Sequence, residues 1–107
     1  MVNHFPLEAA IEARAIQDIK ARWPKALTRK MNGSGNRDWP DRLVILGNAA
    51  PPFFIEFKRP GEKPRPSQQF FINLLREAGM LVFVVQSRDE AVECCQNVYD
   101  GCCHEQV

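Results

Sequence analysis

The stretch WPDRLVILGNAAPPFFIEFKRPGEKP, from Trp39 to Pro64, constrains the fold more tightly than any other part of the chain. Two apolar, β-rich runs, Arg42–Leu46 and Phe53–Phe57, are separated by GNAAPP and read as a pair of central strands joined by a loop of moderate length. Asp41, Glu56 and Lys58 stand at the edges of these runs, where a charge is costly to desolvate. A chain that puts charges there must pair them with one another or use them to hold something else. The prolines of RPGEKPRP lack amide donors, so the sheet has to stop just after Lys58.

The remaining elements follow from periodicity and punctuation. Leu7, Ile11, Ala15, Ile19 and Trp23 recur every four residues, which predicts an amphipathic helix stopped by Pro24. Lys25 to Met31 alternates as a short strand does, and NGSGNRD is a polar turn. Ser67 offers an N-cap to a helix through Ala78, with Gly79 placed to end it. MLVFVV, Met80 to Val85, is apolar on both faces, as a strand buried between two layers is. Ser87 and Glu90 have capping-box spacing and open a third helix toward Tyr99. The order helix, three strands, helix, strand, helix favours an α/β fold, a sheet covered by helices.

The 107 residues fit one domain with one core. No apolar stretch approaches the ~20 residues of a membrane helix, and no basic region leads into a long apolar run, so the expectation is a soluble intracellular protein without a membrane partner. Net charge is +1, which does not announce a globally basic nucleic-acid binder. Its distribution is uneven. Lys20, Arg22, Lys25, Arg29 and Lys30 precede Arg37 and Arg42, and Arg59, Lys63 and Arg65 follow Lys58, whereas the tail from Asp89 to Glu105 has no Lys or Arg. A basic surface beside an acidic pocket and a merely solvated face both satisfy this pattern. The cysteine pairs Cys94–Cys95 and Cys102–Cys103, six residues apart, do not have zinc-knuckle spacing, and without a secretory signal reduced thiols are expected, Cys94 and Cys95 packing as small apolar residues on a helix.

Glu56 and Lys58, two apart on one strand, leave the same face of the sheet. If the two strands pair antiparallel, Asp41 at the start of one meets Glu56 and Lys58 at the end of the other. Carboxylates forced together repel, and one pKa rises unless a cation intervenes. Few ligands, all oxygen, suit Mg²⁺ or Mn²⁺, and such a metal with Lys58 beside it implies phosphodiester hydrolysis. On its own, E-x-K is a weak signal and reads first as a plain ion pair at a strand end.

Pro40-Asp41, fourteen residues, then Glu56-Phe57-Lys58, within this order of elements, resembles the PD-(D/E)XK nuclease superfamily. With LEAAIEARAIQDIKAR, PDRLVI, FFIEFKRPGEKPRPSQ and LREAGMLVFVVQS, it resembles more narrowly the virus-type replication-repair nuclease domain, VRR-NUC, from about Leu7 to Val92. The resemblance implies a restriction-endonuclease-like αβββαβ core with a mixed sheet flanked by helices. It implies that Asp41 and Glu56 bind the metal, that Phe57 lends its backbone carbonyl, and that Lys58 is the catalytic lysine. The family's helix glutamate falls on Glu8, with Glu12 the alternative, an exposed helix charge being the plain reading of either. The family glutamine falls on Gln68, where an amide could orient a water or phosphate, with Gln69 its neighbour. Asp38-Trp39 departs from the family's small residue before P-D: Asp38 competes with Asp41 as the metal-facing aspartate, and Trp39 is either a base-stacking ring or a core residue.

A chain of this size resembles phage-encoded members, for which the family implies a metal-dependent endonuclease of branched DNA such as four-way junctions, acting in the cytoplasm of a bacterial or phage-infected cell. Symmetric cleavage would need a homodimer with two sites, and the third helix with MLVFVV is a candidate interface. Arg29, Lys30, Arg37, Arg59 and Lys63 are the expected phosphate contacts. The alternatives are a non-catalytic DNA-binding module that keeps the fold and a purely structural protein in which the three charges form an ion-pair network.

Overall fold

The computed structural model describes residues 7–33 and 35–101. Helix α1 (Glu8–Arg22) is followed by β1 (Leu27–Lys30), β2 (Arg42–Ile45), β3 (Phe53–Phe57), α2 (Pro66–Glu77), β4 (Leu81–Val85) and α3 (Arg88–Tyr99). The strands form one mixed sheet in the order β1-β2-β3-β4. The first two pairs are antiparallel and β3–β4 is parallel. A parallel pair needs a crossover, and α2 supplies it. Strands β2 and β3 are therefore interior, as their composition requires, and every position of β3 is buried.

Alternation along β3 feeds two cores. Phe53, Ile55 and Phe57 pack with Ile11, Ala15 and Ile19 of α1 and with Ala91, Cys95 and Val98 of α3. Phe54 faces the other way, with Ile72 of α2 and Val82 of β4, and Trp39, Leu43 and Leu75 close over them. Strand β4 lies at the edge of the sheet, and Leu81, Phe83 and Val84 are only partly buried. It is nonetheless apolar on both faces because Val85 faces the α1/α3 core and Val82 the α2 core.

Two boundaries and one cap differ from the sequence-based expectation. The chain turns at Trp23–Ala26, where the Ala26 N–H donates to the Trp23 carbonyl at 2.9 Å, so β1 begins only at Leu27. Helix α2 starts at Pro66, because proline suits the first helical position, and the Arg65 N–H is satisfied by Gln68 Oε1 at 3.0 Å. Ser67 is thus inside the helix, and its hydroxyl donates to Asp38 Oδ1 at 2.9 Å instead of capping. At α3 the Ser87 hydroxyl accepts from the Glu90 N–H at 3.1 Å, but Glu90 Oε1 reciprocates on the N–H of Gln86, one residue before the cap.

The β2–β3 connection contains a tight turn. The Ala50 N–H donates to the Gly47 carbonyl at 3.1 Å, with Asn48 at φ 54° and Ala49 at φ 63°. Two successive left-handed residues are the signature of a type I′ turn, which asparagine tolerates and alanine does not, its Cβ crowding the following carbonyl. Ala49→Gly is expected to stabilise the protein by up to about 1 kcal/mol, the relieved strain being partly offset by glycine's greater freedom in the unfolded chain. The check is a urea titration in which the midpoint rises at unchanged slope.

Candidate active site

The β2–β3 register pairs Arg42 with Ile55. One residue further, Asp41 faces Glu56, and the two ends are tied side chain to backbone. The Asp41 N–H donates to Glu56 Oε1 at 3.2 Å, and the Phe57 N–H donates to Asp41 Oδ2 at 2.8 Å. The next residue of the register would set Pro40 against Phe57. Proline has no N–H, so the ladder ends there, and the Phe57 carbonyl, on the same side of the strand as its N–H, is left facing the site.

Glu56 is 1 % exposed and Lys58 7 %, so the charges at this strand end are inside the protein. Lys58 Nζ lies 3.2 Å from Glu56 Oε2 and 3.9 Å from Glu8 Oε1. The buried Gln68 amide donates to Glu56 Oε2 at 3.0 Å while its oxygen accepts from the Arg65 N–H. Both ends of that amide are therefore held by protein, and Gln68 orients Glu56. Gln69, its neighbour, bonds Asn73 along the helix at 2.9 Å.

Burial drives the electrostatics. It pushes the Glu56 carboxyl up to about 7, with the Asp41 charge adding to the effect and Lys58 opposing it. Asp41 is also raised by burial, opposed by its bond from the Phe57 N–H. Glu8 is raised by the same cause, with Lys58 opposing. Three carboxyls that resist ionisation share Lys58, with Lys30 reaching only Asp41 of the three, at 4.0 Å, so the site has more negative charge to place than cation to balance it.

Glu12 is buried, not an exposed helix charge. It accepts from Arg42 Nε at 2.7 Å and from Lys30 Nζ at 3.0 and 3.1 Å. Lys30 and Arg42 face each other across β1–β2, where two cations repel, and Glu12 inserted from α1 relieves the repulsion. Lys30 Nζ also comes within 4.0 Å of Asp41 Oδ1. This network was not legible as a unit in the sequence, because the clue, two facing cations, exists only once the register is known. It also separates the two helix glutamates: Glu12 is committed to Arg42 and Lys30, while Glu8 reaches Lys58.

Asp38 pairs with Ser67 and with Arg65 at 3.6 Å, so it belongs to the start of α2 while Asp41 occupies the site. The Trp39 ring packs 4.9 Å from that of Phe71 and 5.9 Å from that of Phe54, in the α2 core. Arg29, Arg37 and Lys63 are exposed and Arg59 half-buried, and none forms an ion pair among the described residues. The Cys95 thiol is fully in the core and Cys94 is half-buried, whereas Cys102, Cys103 and His104 lie outside the described residues.

Among the described residues no three carboxylate, imidazole or thiol side chains form a ready metal cage. The donor set present is a different one: Asp41 Oδ1, 4.0 Å from Lys30 Nζ, the Glu56 carboxylate and the Phe57 carbonyl, with Glu8 nearby. One or two carboxylates completed by water and phosphate oxygens is how Mg²⁺ is ordinarily held, so the residues fit such an ion. The raised Glu56 carboxyl has a consequence for the metal-free protein. Between its ordinary value of 4.5 and about 7, the folded chain keeps a proton that the unfolded chain has lost, so stability falls as pH rises through this window. Thermal unfolding in chelator should show the midpoint dropping from pH 5 to pH 8, and Glu56→Gln should make that slope shallower.

The sequence matches the VRR-NUC domain model over residues 3–89. It is 37% identical over 82 residues to a protein named "Putative nuclease p44" from Acyrthosiphon pisum secondary endosymbiont phage 1, an alignment spanning 77% of this chain and 85% of that one. A solved structure titled "VRR_NUC domain" superposes with a TM-score of 0.71 at 30% identity, over 83% of this chain and 94% of the other. With the mixed four-stranded sheet and its three helices in place, the chain belongs to the VRR-NUC family of nuclease domains.

Proposed function

We propose that the protein is a divalent-metal-dependent DNA endonuclease that cuts branched DNA, four-way junctions among its substrates. The observation that carries the reading is the buried Glu56 carboxylate, held between the Asp41 N–H, the Gln68 amide and Lys58 at an end of the sheet where the backbone ladder is left open. Asp41 through Oδ1, Glu56 and the Phe57 carbonyl would hold Mg²⁺ or Mn²⁺, with Glu8 as the helix carboxylate beside them. A cation there supplies positive charge to phosphate oxygens and acidifies water.

The chain's own groups do the rest. Lys58, fixed by Glu56 and Glu8, is a preorganised cation for the charge that develops on the phosphate. Gln68 keeps the Glu56 carboxylate from rotating, and the Glu12–Arg42–Lys30 network holds the start of β2, and so Asp41, against α1. Arg59 and Lys63, in the Pro-rich loop that leaves the site, meet the phosphates of the bound strand. Symmetric cutting of a junction calls for two copies of the chain. Ala91, Cys95 and Val98 of α3 are buried in the fold, Tyr99 of α3 is exposed, and Phe70 and Leu74 of α2 are exposed. A bacterial or phage-infected cytoplasm is the compartment that fits a phage-type nuclease, and no described helix is long and apolar enough to cross a membrane.

The test is incubation with Mg²⁺ or Mn²⁺ and a panel of single-stranded, duplex, flap and four-way-junction DNA. Cleavage should need the metal and favour the junction, whereas binding without cutting would leave a DNA-binding module. Lys58→Ala and Glu56→Gln should each lower the rate by about 10²–10⁴-fold or more with the fold retained, and near-normal cutting by either variant would remove the site. Asp41→Asn should weaken Mn²⁺ binding in calorimetry. Replacing Arg59 and Lys63 together with alanine should make the salt dependence of junction binding in Ca²⁺ shallower by roughly 0.9 per lost duplex phosphate contact, equally across sequences.

A further inference from the structure

At the end of the sheet opposite the candidate active site lies a cleft of ≈ 470 Å³, bounded by the C-terminal ends of α1 and α3 and the β2–β3 turn. Its lining is unlike the core. Trp23 and Tyr99 form an aromatic corner with centroids 5.9 Å apart and rings inclined by 49°. Trp23 is 8 % exposed and makes the floor, while Tyr99 is 38 % exposed and offers a free face. The Arg22 guanidinium lies 5.4 Å from the centre of the Trp23 ring and is steadied by Gln96 at 3.0 Å. Lys25 is exposed on the rim. Asn48, in the left-handed turn, reaches the Tyr99 hydroxyl at 3.5 Å and brings an amide with both a donor and an acceptor.

An aromatic face, two cations and an amide are what an unpaired nucleotide presents partners for: a base to stack, a phosphate to neutralise and a base edge to bond. The volume is in the range of small-ligand pockets. The cleft is also connected to the site. Strand β1 runs from Leu27 at the cleft end to Lys30, whose ammonium is beside Glu12 and Asp41, and it is an edge strand with Arg29 exposed. From Lys20 to Arg37 the sequence holds six cations and no carboxylate, although the whole chain carries only +1. A cationic edge thus leads from one end of the sheet to the other. At ~3.3 Å per residue, the distance from Asp41 to the turn is roughly 15–20 Å, which is about five stacked nucleotide steps of ~3.4 Å.

We infer that this cleft binds an unpaired nucleotide of the DNA substrate, within about five nucleotides of the scissile phosphate, with the intervening strand lying along the β1 edge. Tyr99 stacks on the base, Arg22 and Lys25 neutralise the adjacent phosphates, and Asn48 contacts the base edge. The site therefore selects DNA with a single-stranded or splayed segment close to the cut, and so deepens the nuclease reading on which it rests.

The experiment uses junction DNA in which 5-iodouracil replaces one thymine at a time along the cut strand, bound in Ca²⁺, irradiated, and mapped by mass spectrometry. Crosslinks to Tyr99 or Trp23 are expected at one or two positions within about five nucleotides of the cut, and they should disappear in Tyr99→Ala. Lys25→Glu, at an exposed position, should lower affinity roughly tenfold for DNA that carries these nucleotides. It should leave affinity for DNA truncated before them, and the cleavage rate at saturation, as in the unmodified protein. Crosslinks confined to the surroundings of Lys58, or wild-type affinity in both variants, would overturn the assignment while wild-type cleavage in Mg²⁺ kept the nuclease reading. A wild-type protein that neither binds nor cuts any DNA of the panel would overturn both.

Discussion

The site depends on a carboxylate that ought not to be where it is. Glu56 is almost completely buried at the end of the central strand, and a buried carboxylate without partners would simply take up a proton. Three donors from three parts of the chain converge on it: the backbone N–H of Asp41 just before β2, the Gln68 amide from α2 and the Lys58 ammonium just after β3. Each donor is in turn fixed by something structural. Asp41 is locked by its bond from the Phe57 N–H, Gln68 by the Arg65 N–H at the start of α2, and Lys58 by Glu8 on α1. The carboxylate is thus the point at which both antiparallel strands and two helices are tied together. Its raised pKa shows that these donors do not fully compensate for its burial.

That shortfall is informative because the surrounding charges could have removed it. Lys30 and Arg42 are close by, yet Glu12 engages both. A chain selected only for stability would gain by spending those cations on Asp41 and Glu56, or by replacing the buried charges with apolar groups of similar size. Glu12 takes the short contacts of both cations, and only Lys30 reaches Asp41, at 4.0 Å, so the paired carboxylates stay short of positive charge. Pro40 contributes to the same end by a different route, since the absence of its N–H opens the Phe57 carbonyl without any charge being added.

Much of this was legible in the sequence, for identifiable reasons. The apolar runs around Asp41 and Glu56 determined which strands are interior, and the alternation of E-F-K determined which side chains share a face, because strand periodicity is local. The prolines after Lys58 marked the end of the sheet, and Gly79, at φ 96°, ends α2 where a left-handed residue is needed. What was not legible depended on tertiary register. Ser67 has the chemistry of a cap, but Pro66 one residue earlier suits the first helical turn better, and the serine is left to bind Asp38. Glu12 resembles any exposed helix charge until β1 and β2 bring Lys30 and Arg42 opposite each other beneath it. MLVFVV lies between two helical layers, as its apolar faces predicted, but that pattern does not tell that it is the edge strand of the sheet.

Strand β3 also explains why stability and chemistry are hard to separate in so small a protein. Its odd-numbered residues, Phe53, Ile55 and Phe57, fill the larger core, and its even-numbered residues run from Phe54 in the smaller core to Glu56 at the site, with Lys58 just beyond. A slip of one residue against β2 would drive Glu56 and Lys58 into the α1/α3 core and expel Ile55 and Phe57 from it. Hydrophobic burial therefore fixes the register from one face, and the same register sets the positions of Asp41, Glu56 and the open Phe57 carbonyl on the other. The core does not merely support the site from a distance: the two are alternate faces of one strand, so the force that folds the sheet is also what brings the carboxylates together against their mutual repulsion.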